Sequence, residues 1–221
     1  MPPVKDVIIF GAHGLIGQQL IKLISQKPPL KATAVVRNET QAQAIANSNV
    51  TTTYLTLDQA SVADISQVIK GHDAVVITVG SRGKNLLQVD LDGVVKTFEA
   101  SVDAKVRRLV LISAVRAENR EYIDNSSIRD YYIAKHYADR ILINEFGHKL
   151  DYTIVKPSAL TNDGATGKIK VLSDTDDNLG KIARADVAQS LLDVLDLEET
   201  FGRSYNITGG DEPIDDPSTW K

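Results

Sequence analysis

Val7-Ile8-Ile9-Phe10-Gly11-Ala12-His13-Gly14-Leu15-Ile16-Gly17 joins an apolar run to three glycines spaced G-x-x-G-x-x-G. Ile16, Leu20, Leu23 and Ile24 then recur at helical spacing. A strand that turns on glycine directly into a helix is the arrangement that seats a dinucleotide pyrophosphate. Gly11 permits a turn that a Cβ would obstruct, Gly14 lets the backbone approach the phosphates, and Gly17 lets the helix lie close on the sheet. The free N–H groups at the helix start then face the negative charge. The stretch predicts a first strand over 7–10 and a first helix over 15–26.

Working outward, strands are expected at 32–36, 52–57, 74–79, 108–113, 152–155, 171–172 and 204–207. Helices are expected at 40–46, 62–69, 90–104, 130–146 and 185–195. Gly71 ends the third helix in the manner of a C-cap. The unbroken apolar run 74–79 is of the type buried on both faces. Residues 116–128 read as a polar loop, and Pro157 as the end of the sixth strand. This alternation predicts an α/β fold, a doubly wound parallel sheet of the Rossmann type in three α/β/α layers. Residues 1–221 read as a single NAD(P)-binding domain, with 158–182 and 205–221 contributing a small lid or C-terminal substrate lobe. The last dozen residues read as a loosely held tail that Trp220 could pin to the body.

Composition narrows the partners. A length of 221 residues suits one domain with a substantial core. A net charge of −4 argues against a nucleic-acid partner, which calls for a basic face. With no cysteine there is no disulfide framework, thiolate metal site or cysteine nucleophile, in keeping with a reducing cytoplasm. No run approaches the ~18 apolar residues of a membrane span, and no signal peptide is evident. His13, His72, His136 and His148 form no metal-ligand spacing, so no metal is expected. His13 sits in the glycine turn beside the pyrophosphate; the other three are expected to face solvent.

Ligands of such sheets bind at the carboxyl ends of the strands. After the second strand come Arg37 and Asn38, where many NAD-binding chains carry a carboxylate for the ribose hydroxyls. A guanidinium there suits a 2′-phosphate and favours NADP, with NAD the alternative because Glu39 lies close by. Asp58, after the third strand, suits the adenine amino group or, equally, a helix N-cap. Val79-Gly80 lets the backbone pass close to the cofactor ribose, while Arg82 and Lys84 read as loop residues. Ser113 places a hydroxyl at the mouth of the sheet. Tyr131 and Lys135 are helical neighbours four apart, so the ammonium is expected to lower the phenol pKa and let the pair exchange a proton beside the nicotinamide. A second Tyr-x-x-x-Lys, Tyr152…Lys156, lies along a strand and cannot form such a unit.

Gly11-x-x-Gly14-x-x-Gly17, Val36-Arg37-Asn38, Leu57-Asp58, Gly71-x-Asp73-Ala74-Val75-Val76, Tyr131-x-x-Ala134-Lys135-x-x-Ala138-Asp139 and Tyr152-Thr153-Ile154-Val155-Lys156-Pro157-Ser158-Ala159-Leu160-Thr161 together resemble the atypical short-chain dehydrogenase/reductases. The nearest subgroup is the small bacterial NAD(P)-binding, epimerase/dehydratase-like or NmrA-like proteins. The resemblance spans about residues 4–209. It implies dinucleotide contacts from the glycine turn (Gly11, His13, Gly14, Leu15, Ile16, Gly17), Arg37, Asn38, Asp58, Val79, Gly80, Lys135, Pro157 and Ser158, and catalysis by Tyr131, Lys135 and Ser113. Related enzymes often carry two hydroxyl residues after the fifth strand, whereas Ser113 is followed by Ala114 and Val115. The implied function is an NADP-dependent reductase acting on a small carbonyl, quinone or flavin-like acceptor. A non-catalytic NADP(H) sensor or partner-binding protein is the alternative, and an epimerase or dehydratase a weaker one. The chain is too short for a bulky nucleotide-sugar lobe, and it is expected to be a monomer or homodimer with a small-molecule substrate.

Overall fold

A computed structural model describes residues 3–45 and 49–221. In chain order, β1 (Asp6–Phe10), α1 (Leu15–Ser25), β2 (Lys31–Val36), α2 (Glu39–Ile45) and β3 (Val50–Tyr54) build one wing. The expected end of the second helix, Ala46, lies outside the described residues. Next come α3 (Val62–Ile69), β4 (Ala74–Ile77), α4 (Val94–Asp103), β5 (Arg108–Ile112), α5 (Arg120–Asp124), α6 (Arg129–Ile141) and β6 (Asp151–Pro157). The chain finishes with β7 (Ala159–Thr161), β8 (Lys168–Val171), β9 (Lys181–Ala183), α7 (Arg184–Asp193), β10 (Arg203–Gly209) and β11 (Glu212–Pro213).

The main sheet runs β3-β2-β1-β4-β5-β6-β10-β8-β11. It is parallel from β3 to β10, and β8 and β11 continue it antiparallel. The order reverses between β1 and β4, whose register pairs Phe10 with Ile77. A crevice opens at such a reversal, outside the carboxyl ends of the strands. Alternate residues of β1 face opposite layers. Val7 and Ile9 join the core with Leu20 and Ile24 of α1 and Val187 and Leu191 of α7. Ile8 and Phe10 join the core with Ile65, Phe98 and Leu142 on the other face. Among the described residues no helix is long and apolar enough to cross a membrane.

Several boundaries differ from the sequence pattern. The helix expected over 90–104 begins as π-helical turns at Leu86–Gly93 and becomes regular only in α4. The stretch 116–128 contains α5, capped by Asn119, whose side chain accepts the Tyr122 N–H at 2.9 Å. Pro157 remains in β6, opposite Ile207 of β10. β3 ends at Tyr54, so Leu55, Thr56 and Leu57 leave the sheet. The tail is not loose: Trp220 is fully buried, its Nε1 donates to the Ile214 carbonyl at 2.9 Å, and the Tyr205 hydroxyl donates to its carbonyl at 2.8 Å.

Between β7 and β9 the chain makes an excursion that includes β8, and two side chains fasten it beyond the β8 ladder. The buried Asp186 carboxylate accepts the N–H groups of Thr166 and Gly167, each at 2.8 Å, and the Thr166 hydroxyl at 2.9 Å. The Arg116 guanidinium donates to the carbonyls of Ser173 (3.0 Å), Asp174 (3.2 Å) and Asp176 (3.0 Å) and pairs with the Asp174 carboxylate at 3.3 Å.

Candidate coenzyme cleft and active site

The glycine turn makes a cradle that side chains could not occupy. Gly11 holds φ +81°, and a Cβ there would stand 2.7 Å from the Thr78 carbonyl carbon and oxygen. A Cβ on Gly17 would stand 2.5 Å from the Gly11 oxygen and 2.7 Å from the Ala12 oxygen. Gly14 is the N-cap of α1, with φ −68° and ψ 162°, and brings no capping side chain. Its own N–H is turned back onto the Gly11 carbonyl at 2.9 Å. The N–H groups of Leu15, Ile16 and Gly17 form the first turn, where an anion binds most readily.

Beside this turn lies a cleft of ≈ 570 Å³, in the range typical of cofactor sites. Gly11, His13, Gly14, Arg37, Asp58, Val79 and Gly80 line it. So do Gln41, Leu57, Thr78, Arg82, Lys84 and Asn85, so the two loop cations face the same cleft. Asn38 instead caps α2: its Oδ1 accepts the Gln41 N–H at 3.0 Å. Glu39 accepts from the Tyr54 hydroxyl and, at 3.1 Å, from Gln43 Nε2, and these bonds hold its pKa below the usual carboxylate range. The carboxylate that could oppose a 2′-phosphate is therefore occupied outside the cleft lining. Asp58 is not a helix cap. Ser61 caps α3 in a reciprocal box with Asp64, and Asp58 accepts from Asn85 Nδ2 at 3.3 Å across the cleft.

α6 carries Tyr131 and Lys135, neither of which lines the cleft, although Lys135 reaches its Val79. Lys135 Nζ donates to the carbonyls of Val79 (3.1 Å) and Ile112 (3.3 Å), tying together the ends of β4 and β5, and stands 5.8 Å from the centre of the Tyr131 ring. Burial pulls the Lys135 pKa down, against the pull of Asp90 and Asp139. The Tyr131 phenol moves opposite to the sequence expectation. Burial, reinforced by the charges of Asp90 and Asp139, pushes it up to about 12. Asp90, fully buried, accepts the Ser81 N–H at 3.0 Å and was not visible in the sequence as a site residue. In the second Tyr-x-x-x-Lys, the Tyr152 hydroxyl bonds the Gly202 carbonyl at 3.0 Å while Lys156 Nζ turns to Glu118 at 2.8 Å.

Ser113, Pro157 and Ser158 also lie outside the cleft lining. Ser113 is buried, and its hydroxyl donates to Asp139 Oδ2 at 2.8 Å. The Pro157 carbonyl accepts the Val115 N–H at 3.1 Å, and the Ser158 hydroxyl bonds Thr208 Oγ1 at 2.9 Å. His148 is exposed as expected, but two histidines are not. His72 bridges the Ile69 carbonyl and Thr33 Oγ1, and His136 is buried with Nδ1 2.6 Å from the Ala117 carbonyl.

The NAD(P)H-binding family model matches residues 11–198. A Bacillus subtilis protein called an uncharacterized sugar epimerase is 37% identical over 212 residues, covering 94% of this chain and 96% of that protein. An oxidoreductase structure from Lactococcus lactis superimposes with a TM-score of 0.86 at 30% identity, covering 95% of this chain and 93% of that one. A short-chain dehydrogenase/reductase from Veillonella parvula, solved in complex with NADP, shares the fold at a TM-score of 0.74 and 18% identity, over 99% and 97% of the two chains. With the glycine cradle and cleft on one side and these matches along nearly its full length on the other, the chain belongs to the NAD(P)H-binding family of Rossmann-fold, oxidoreductase- and epimerase-like enzymes.

Proposed function

We propose that the chain is an NADPH-dependent reductase of a small carbonyl, quinone or flavin-like acceptor, with Tyr131 as its proton donor. The observation that supports this reading is that Lys135 Nζ joins the cleft-lining Val79 to Ile112 of β5, with the Tyr131 ring centre 5.8 Å from it. The cleft fits the coenzyme: two of its glycines sit where a Cβ would collide with backbone, and its adenosine end carries a guanidinium whose nearest competing carboxylate is held by Tyr54 and Gln43. The Veillonella parvula protein of the same fold holds NADP. Bound here, NADPH supplies hydride to the acceptor carbon. Tyr131, neutral across the physiological range because burial raises its pKa, is in the form that donates a proton to the oxygen of that acceptor. Lys135 holds the strand ends that frame the ribose. A phenol favoured in its neutral form suits reduction better than the reverse oxidation.

The test has two stages. At ~100 times its Kd a coenzyme stabilises by about 2.7 kcal/mol. That is worth several degrees of Tm in a domain of this size. NADPH should act at lower concentration than NADH. Oxidation of NADPH with 9,10-phenanthrenequinone as acceptor should then be fast in the wild type and collapse in Tyr131→Phe. One observation favours a second reading, an NADPH sensor: the Ser113 hydroxyl is committed to Asp139. NADPH binding without turnover of any acceptor would select it. The name of the Bacillus subtilis relative raises a third, epimerase chemistry, which tightly retained coenzyme with no net consumption would select.

A further inference from the structure

Asn85 stands just before the π-helical turns, where an asparagine ordinarily caps a helix, yet its side chain caps nothing. Its main chain is fixed: the N–H donates to Ser81 Oγ at 3.0 Å, and the carbonyl accepts the Val89 N–H at 3.0 Å. The side-chain amide instead reaches across the cleft that Asn85 and Asp58 both line, and Nδ2 donates to Asp58 Oδ2 at 3.3 Å. Asp58 follows β3 and Asn85 follows β4, with β2 and β1 between those strands in the sheet. Three inter-strand spacings make that a span of about 14 Å.

This bond decides what the pair offers to a ligand. A carboxylate only accepts, so Asp58 fixes which end of the Asn85 amide faces it. The second Nδ2 hydrogen and Asp58 Oδ1 have no partner among the described residues, and they remain as a donor and an acceptor side by side. The main-chain donors that follow Asp58 are already spent, since the Gln59 and Ala60 N–H groups both go to the Thr56 carbonyl, at 3.1 and 3.0 Å. Each polar group has an apolar neighbour in the cleft lining: Leu57 beside Asp58, and Val89 one turn beyond Asn85, both in the same apolar cluster. Apolar walls with one polar edge suit a flat heteroaromatic ring that shows the complementary donor and acceptor on its own edge.

We propose that Asn85 is a specificity-determining residue for the base of the coenzyme, reading the N1 and 6-amino edge of adenine together with Asp58. The proposal rests on the coenzyme reading of the cleft given above. The 6-amino group of adenine donates to Asp58 Oδ1, and adenine N1 accepts from Asn85 Nδ2. Hypoxanthine, with oxygen on C6 and hydrogen on N1, reverses both partners. Its oxygen faces a carboxylate and its N1–H faces another N–H, so the pair rejects it. Asn85 gives up helix capping and takes the place of the missing main-chain donor.

The test compares NADPH with reduced nicotinamide hypoxanthine dinucleotide phosphate, by fluorescence titration of the reduced nicotinamide. Both carry the 2′-phosphate, so any contact with Arg37 cancels in the ratio of their Kd values. The wild type should bind the hypoxanthine coenzyme about tenfold or more weakly, the discrimination expected of a two-point contact to a base edge. Asn85→Leu keeps the size, loses the amide and removes no helix cap. It should lower that ratio at least about threefold, chiefly by weakening NADPH. Asn85→Asp puts an acceptor where the N1–H of hypoxanthine can donate, so the ratio should fall further, although the added negative charge weakens both coenzymes. A wild-type ratio near one, or a ratio that neither substitution changes, would overturn the assignment. A wild type that binds neither coenzyme would instead overturn the coenzyme reading of the cleft.

Discussion

Arg37→Ala tests the coenzyme assignment most directly. Arg37 lies exposed on the cleft wall, its backbone N–H held by Gln41 Oε1 at 3.0 Å, so the side chain can be cut without disturbing β2 or the α2 cap. The guanidinium can meet the 2′-phosphate of NADPH, a group that NADH lacks. A hydrogen bond to a charged group contributes about 1.5–3 kcal/mol, and solvent exposure puts this one near the lower end. At 1.4 kcal/mol per decade, the NADPH Kd should rise roughly ten- to thirtyfold. The NADH Kd should stay within about a factor of two, since the contact to be lost is absent there. Arg37→Lys should fall between, keeping the charge but losing the two-pronged geometry. Raising ionic strength should erode the wild-type preference and leave the Arg37→Ala ratio nearly flat. Glu39→Gln should leave the preference unchanged because Glu39 is already engaged by Tyr54 and Gln43. Fluorescence titration of both reduced coenzymes at two salt concentrations provides four Kd values for the wild type and for each variant. Equal losses for NADPH and NADH, or no loss for either, would refute the assignment.

Tyr131→Phe should lower kcat by about 10²–10⁴ while leaving NADPH affinity intact, and the wild-type reductive rate should show no Tyr131-dependent fall between pH 6 and 9 because burial keeps the phenol protonated; steady-state pH profiles check both. Gly17→Ala should cost about 1–3 kcal/mol in urea denaturation and weaken both coenzymes alike, since the added methyl meets backbone of the turn, whereas Gly164→Ala, with open space around it, should be close to neutral. Lys156→Met should cost about 3–5 kcal/mol at pH 7 by leaving the Asp139 carboxylate buried and unpaired. That cost should shrink toward pH 5. Burial raises the Asp139 pKa, so the native state binds its proton more tightly than the unfolded chain, and the neutral acid tolerates the loss of its partner.

The architecture was readable because its signals are local. Val7–Phe10 alternates between two buried faces, and the glycines act through steric demands within a few residues of themselves. That Arg37, Asp58 and Gly80 line one cleft follows from their places within a few residues of the ends of β2, β3 and β4. What could not be read depends on partners far apart in the chain. Ser113 and Asp139 are 26 residues apart, and Lys156 looks like an ordinary strand residue until the fold sets it against Glu118 and Asp139. The rise of the Tyr131 pKa comes first from burial, which a helical spacing does not reveal, and then from Asp90 and Asp139, the former entering from a π-helical segment with no sequence mark of its own. Asn119 was a legible cap for α5, but the charged residues around it masked the signal.

The excursion between β7 and β9 is secured almost wholly through main-chain atoms: Arg116 grips the carbonyls of Ser173, Asp174 and Asp176, and Asp186 grips the amides of Thr166 and Gly167. Main-chain clasps are indifferent to side-chain identity. Ala165 and Leu179 enter neither clasp and are free to change, whereas Asn162, Asp174, Asp176 and Asn178 also hold the chain through their side chains. An engineer can vary those two positions and graft new contacts there while both clasps hold.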